Sequence, residues 1–68
     1  MTYDIESTEY ISHLTRIKSF EIMKDIGQNV GDWLHIKGKN DMSMHRKITA
    51  KHIETEILGI GYCILSLR

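Results

Sequence analysis

The sequence predicts an α+β fold: an N-terminal helix, continuous or broken near Ser19, packed on a small antiparallel β-meander. Three observations predict it. Helix-start and helix-stop residues bracket positions 7–27, alternating apolar residues run from Val30 to Ala50 around Gly38-Lys39-Asn40-Asp41, and a last strand pattern covers Gly61 to Leu67. A mostly helical chain with a helix-turn-helix-like pair is the competing arrangement.

Met1 to Glu6 is an acidic lead-in that either frays or adds Tyr3 and Ile5 to a sheet edge. Ser7 or Thr8 is placed to cap the helix. Asp4, Glu6 and Glu9 lie near its positive end, Lys18 and Lys24 toward its negative end, and Gly27 stops it. Its apolar residues Ile11, Leu14, Ile17, Phe20, Met23 and Ile26 recur every third position. A three-residue step falls about 60° short of a full helical turn, so such a stripe winds around a straight helix and a break near Ser19 relieves it.

In the middle segment Val30, Leu34 and Ile36 share one side of the first arm, and Met42, Met44, Ile48 and Ala50 share one side of the second. Glycine beside Asn and Asp is the composition of a hairpin turn. The helical alternative takes Asn29 as a cap and Gly38 as a stop, with Phe20 to Ile26 and Asn29 to Lys37 as its helical pair. Gly31 inside so short a helix would cost about 1 kcal/mol relative to alanine. Beyond Lys51, Ile53, Thr55 and Ile57 alternate with His52, Glu54 and Glu56 as in a half-buried strand, while Thr49, Ala50, Ile53 and Ile57 also fit a short helix ended by Gly59. Gly59-Ile60 suits a tight turn into the last strand, where apolar residues point both ways; such a strand is central or covered by another chain.

One domain of 68 residues buries only about 60% of the surface its unfolded chain exposes. Small domains compensate with disulfides, metals or self-association. Cys63 is the sole cysteine, which excludes an internal disulfide and a cysteine-based zinc site. A lone thiol without a secretory pattern suggests a reducing, cytoplasmic setting, and no apolar run reaches the roughly 18 residues of a membrane span. Nine bases balance nine acids, but residues 1–34 hold six acids and three bases while the remainder holds the reverse. Zero net charge argues against strong nonspecific nucleic-acid binding.

No catalytic, cofactor or metal signature emerges. The four histidines have no ligand spacing, and His52-Ile53-Glu54 has the His-x-Glu order of zinc deaminases without their Pro-Cys-x-x-Cys. Cys63 sits among Tyr62, Ile64 and Leu65, the surroundings of an inert thiol. Glu54 and Glu56 project the same way from a strand, yet a chain of this size builds no cleft around them. Gly59-Ile60-Gly61 lacks the following helix of a phosphate loop.

What remains is the outer side of the hairpin, which carries Trp33, His35, Lys37, His45, Lys47 and Lys51. With Lys39 and Arg46 nearby, it suits an acidic patch on a protein with Trp33 as the anchor. It also suits phosphates with the indole stacked on a base. The bland alternative makes Trp33 a core residue under the helix and the lysines a solvated face. The expected function is therefore a small non-catalytic interaction protein, an inhibitor, adaptor or regulator of a protein partner. Single-domain blockers of this kind are common among viral and mobile-element proteins. Nucleic-acid binding through Lys37 to Lys51 is the alternative. The two-sided last strand and the lack of proline further suggest a homodimer through the C-terminal strand.

Overall fold

The chain forms a curled half-barrel of five strands with one short helix, in a computed structural model that describes residues 1–53 and 61–68. In chain order these are β1 (Thr2–Glu6), α1 (Ile11–Ile17), β2 (Phe20–Lys24), β3 (Trp33–Lys37), a 3-10 turn (Lys39–Asp41), β4 (Ser43–Ile53) and β5 (Tyr62–Leu67). The sheet order is β1-β3-β4-β5-β2, with β1 parallel to β3 and every other pair antiparallel. The Cα radius of gyration is 12.0 Å, close to the roughly 11 Å of a compact domain of this length.

This corrects the expected architecture. An N-terminal helix on a meander is not what forms, and neither is a mainly helical chain, since strands make up 52% and helix 16% of the described residues. The predicted helix is split: only Ile11–Ile17 coils, and Phe20–Lys24 is a strand. The three-residue spacing explains the split. A strand lets Glu21 and Met23 turn inward while Phe20 and Ile22 turn out, whereas a continued helix would have wound its apolar stripe into water. The expected caps also act elsewhere. Ser7 Oγ accepts from the Glu9 N–H at 3.2 Å in the preceding loop, and Tyr10, the residue at the helix start, makes no side-chain capping bond. Seven residues are too few for an independent helix, so α1 depends on burying Leu14 against the sheet.

The lead-in is ordered as β1, which enters beside β3 and not at the end of a meander. From β1 the chain crosses beneath the sheet through α1 to the opposite edge, forms β2, and returns through residues 25–32 to β3. The hairpin is present as β3 and β4, with Asn40 and Asp41 in left-handed conformation (φ 60° and 59°). Gly38 has an ordinary φ and serves a different purpose. A Cβ there would meet Glu9 O at 2.6 Å and Ile11 Cδ1 at 2.9 Å, so glycine admits the loop before α1.

Several expected face assignments change. Val30 lies outside the strand and Met42 in the turn, both exposed. A bulge between Ile48 and Ala50 swaps the faces of β4, so Ala50 turns out and Lys51 turns in beside Leu65. β5 is interior, flanked by β4 and β2, which accounts for its apolar residues on both faces. An edge-to-edge dimer through this strand has no open backbone to use. The predicted strand over Ile53 to Ile57 lies, beyond Ile53, outside the described residues, as do the turn at Gly59-Ile60 and the pair Glu54 and Glu56.

The core fills the concave side: Leu14, Leu34, Ile36, Ile48, Cys63, Leu65 and Leu67, with Tyr3, Ile5, Ile11, Met23 and Met44 packed around them. Its one fully buried polar side chain among the described residues is Gln28. Gln28 Oε1 accepts from the Ile26 N–H at 3.0 Å and Nε2 donates to Lys24 O at 2.9 Å. Above them Lys51 Nζ reaches Asp25 Oδ1 at 2.8 Å and Gln28 O at 2.7 Å. The loop after β2 is thereby fastened to the inner face of β4.

Candidate functional site

The convex side of β1, β3 and β4 gathers five of the six residues singled out in the sequence. Strand alternation and the hairpin register put Trp33 opposite Lys47, His35 opposite His45, and Lys37 opposite Ser43, all facing outward. Trp33 is 41% exposed, so it is a surface residue and not part of the core. Lys47 Nζ stands 6.0 Å from the centre of its ring, at the limit of a cation–π contact. The His35 and His45 rings stack with centroids 4.6 Å apart and planes 19° from parallel.

Lys51 does not join this surface. The bulge in β4 sends it to the concave side, where it holds Asp25 and the Gln28 carbonyl. Arg46 also leaves the strip: it stands opposite Leu34 on the inner side, and its Nε donates to Arg68 O at 2.6 Å. Lys39 belongs to the turn and lies 5.1 Å over the Tyr10 ring.

Sequence reasoning missed the acids that border the strip. Parallel pairing of β1 sets Asp4 beside His35 and Glu6 beside Lys37. His35 Nδ1 lies 2.9 Å from Asp4 Oδ1; an ionised carboxylate only accepts, so Nδ1 carries the proton there. Lys37 Nζ also sits 3.6 Å from Asp41 Oδ1. The face is thus mixed in charge rather than basic. The available signal was the alternation Tyr3, Ile5 against Thr2, Asp4, Glu6, which marks a strand whose outer residues are acidic.

Beneath this face a second set of polar contacts fixes the end of β3. Asp32 accepts from the Asn29 N–H, the Met1 amine and the Tyr3 hydroxyl at 3.0, 3.2 and 3.4 Å. The Asn29 N–H foremost, then the amine, hold the Asp32 carboxyl below the usual carboxylate range. Burial, and then the neighbouring Asp32 charge, push the Tyr3 phenol up. The bond from Lys51 lowers Asp25. Burial raises the Cys63 thiol, which keeps it protonated and unreactive at neutral pH.

Chemically the face offers an exposed indole, two stacked imidazoles and paired charges, groups suited to binding. Among the described residues no group of three or more His, Cys, Asp and Glu side chains is arranged to hold a metal ion. A cavity of about 370 Å³ opens elsewhere, between α1 and β2, and is lined by Leu14, Ile17, Phe20 and Ile22 together with Glu9, Lys18, Ser19 and Glu21. Among the described residues no helix is long and apolar enough to cross a membrane. Comparison with known proteins finds no family model, no curated protein and no solved structure that matches this chain.

Proposed function

We propose that this chain is a small non-catalytic interaction protein, acting as an inhibitor, adaptor or regulator that docks on a protein partner. The docking surface is the convex face of β1, β3 and β4, with Trp33, His35, Lys37, His45 and Lys47 at its centre and Asp4 and Glu6 at its rim. The observation that carries this reading is the outward position of Trp33 on the sheet, set among charged side chains. Aromatic anchors inside a polar rim are the usual energetic centre of protein interfaces. The surrounding charges favour a protein over a nucleic acid. Arg46 and Lys51 are turned inward, and Asp4 and Glu6 stand against the remaining cations, so few positive groups are left to displace counterions from phosphates.

Affinity capture from the native host, comparing the wild-type chain with the double variant Trp33→Ala, Lys47→Ala, tests this. A partner identified by mass spectrometry should bind the first and not the second, while both give the same thermal unfolding midpoint. Equal recovery by both chains refutes the docking face. A mobility shift with nucleic acid at low salt, abolished by the same double variant, would put phosphate recognition in its place.

A further inference from the structure

β2 is an edge strand, and its outer backbone is unpaired among the described residues. Leu67 N–H donates to Ser19 O and Asp25 N–H to Gly61 O, each at 2.9 Å. Odd-numbered residues of this segment therefore bond to β5, and the N–H and C=O groups of Phe20, Ile22 and Lys24 point to the open side. Natural edges are usually blunted by charge, proline or a bulge. β2 has no bulge in its pairing with β5 and exposes Phe20 (53%) and Ile22 (56%), with Ile17 (58%) beside them on the rim of the cavity.

From this geometry we infer that β2 is the interface of a two-fold symmetric homodimer in which it pairs antiparallel with β2 of a second copy. Facing residues of an antiparallel pair must lie on the same side of the sheet. That condition, with at least three β2 residues of each copy paired, leaves three registers, with the axis at Glu21, Ile22 or Met23. An axis at Glu21 sets Glu21 against Glu21 and Lys18 against Lys24. An axis at Met23 sets Glu21 against Asp25. Like charges directly opposite one another are destabilising. With the axis at Ile22 no such clash arises: Ile22 faces Ile22, Phe20 faces Lys24 in cation–π position, and Glu21 faces Met23.

The same register also uses the whole free edge. Phe20, Ile22 and Lys24 are the residues whose backbone groups point outward, and pairing them gives about six interchain hydrogen bonds. With Ile17 58%, Phe20 53% and Ile22 56% exposed, a phenylalanine side chain of roughly 200 Å² and somewhat smaller isoleucines, these residues offer on the order of 300 Å² of exposed surface per protomer. That is a substantial part of the roughly 800 Å² per partner in a stable interface, and the strand backbone with the exposed Lys24 stem supplies more. Two half-barrels joined in this way share one continuous ten-stranded sheet. The interface is separated from the Trp33 face by β5 and does not rest on the proposed docking function.

Sedimentation equilibrium of the full chain should show a dimer at high micromolar concentration, and Ile22→Lys should give monomer mass with an unchanged circular dichroism spectrum. Ile22→Cys should form an interchain disulfide on mild oxidation, because Cα atoms of a hydrogen-bonded pair lie about 5.5 Å apart, within disulfide reach. Lys24→Cys, which faces Phe20 in this register, should not. A wild-type chain that stays monomeric overturns the dimer, and a dimer that survives Ile22→Lys assigns association to another surface. If Ile22→Lys fails to fold, absence of the Ile22→Cys cross-link has the same refuting force.

Discussion

Replacing Gln28 with alanine should destabilise the fold more than any other single polar substitution at the loop after β2. Its side chain is fully buried and bonds two backbone groups, the Ile26 N–H at 3.0 Å and Lys24 O at 2.9 Å. A third, weaker contact comes from Cys63 Sγ at 3.7 Å. Each net hydrogen bond contributes about 1 kcal/mol, and a buried group left without a partner costs about 1–3 kcal/mol, so Gln28→Ala should lose about 2–4 kcal/mol. A 68-residue domain has roughly 3–10 kcal/mol in total, so the loss approaches the whole at the lower end. In urea, with a slope near 1 kcal/mol per molar, the midpoint should fall by about 2 M or more. Gln28→Glu separates bonding from packing: its volume is conserved, but its carboxylate cannot donate to Lys24 O and should also destabilise. A midpoint shift below about 0.5 M for Gln28→Ala, with the slope unchanged, would refute this account of the network.

Gly38→Ala should cost about 1–3 kcal/mol, the usual penalty of overpacking, because the added methyl would meet the Glu9 carbonyl at 2.6 Å; an unchanged thermal midpoint would show that this loop yields freely. Stability should fall on both sides of neutral pH. Asp25 and Asp32 have depressed pKa values, so their contribution is complete above the ordinary 3.8 and is lost as pH falls through the folded values. Cys63 and Tyr3 have raised values, so theirs is complete below the ordinary 9.0 and 10.0 and is lost as pH rises through the folded ones. Urea midpoints measured from pH 2 to pH 7 should show a shallower acid limb for Asp25→Asn than for the wild type; parallel limbs would count against the Lys51 contact.

The hairpin was legible because its alternation and turn chemistry agree. Leu34 and Ile36 point inward, Trp33, His35 and Lys37 outward, and Asn40 and Asp41 adopt the positive φ that short polar side chains tolerate. The helix was over-read because capping and charge signals describe only where a helix can begin and end. They do not reveal that Phe20 to Lys24 gains a strand partner in Tyr62 to Ser66, some 40 residues later. Lys51 was misplaced for a related reason. Alternation carries a face assignment along a strand only until an extra residue intervenes, and nothing in Ile48-Thr49-Ala50 marks the bulge locally. The acids beside the Trp33 strip were visible as residues, but their neighbours were set by a parallel pairing across some 30 positions.

The sheet separates two kinds of surface across its width. On the convex side, β1, β3 and β4 carry paired charges, stacked imidazoles and a tryptophan, while β5 and β2 are mainly apolar, with Tyr62, Ile64, Phe20 and Ile22 beside Ser66 and Lys24. Interior packing does not demand this division, since both groups lie on the outer face and the core is already closed by Leu34, Ile36, Ile48 and Leu65. Two contacts of different chemistry would explain it. A copy joined at β2 leaves the Trp33 face of each protomer uncovered, so self-association and partner docking do not compete. The dimer would then present two docking faces at its far edges, and a partner with repeated sites at matching spacing would be held by both at once. Avidity of that kind raises apparent affinity by about 10²–10⁴ without any new contact. Ile22→Lys should therefore weaken capture of such a partner while Trp33 and Lys47 remain intact, and a monomeric variant that captures it as well as the wild type would show that the two surfaces act independently.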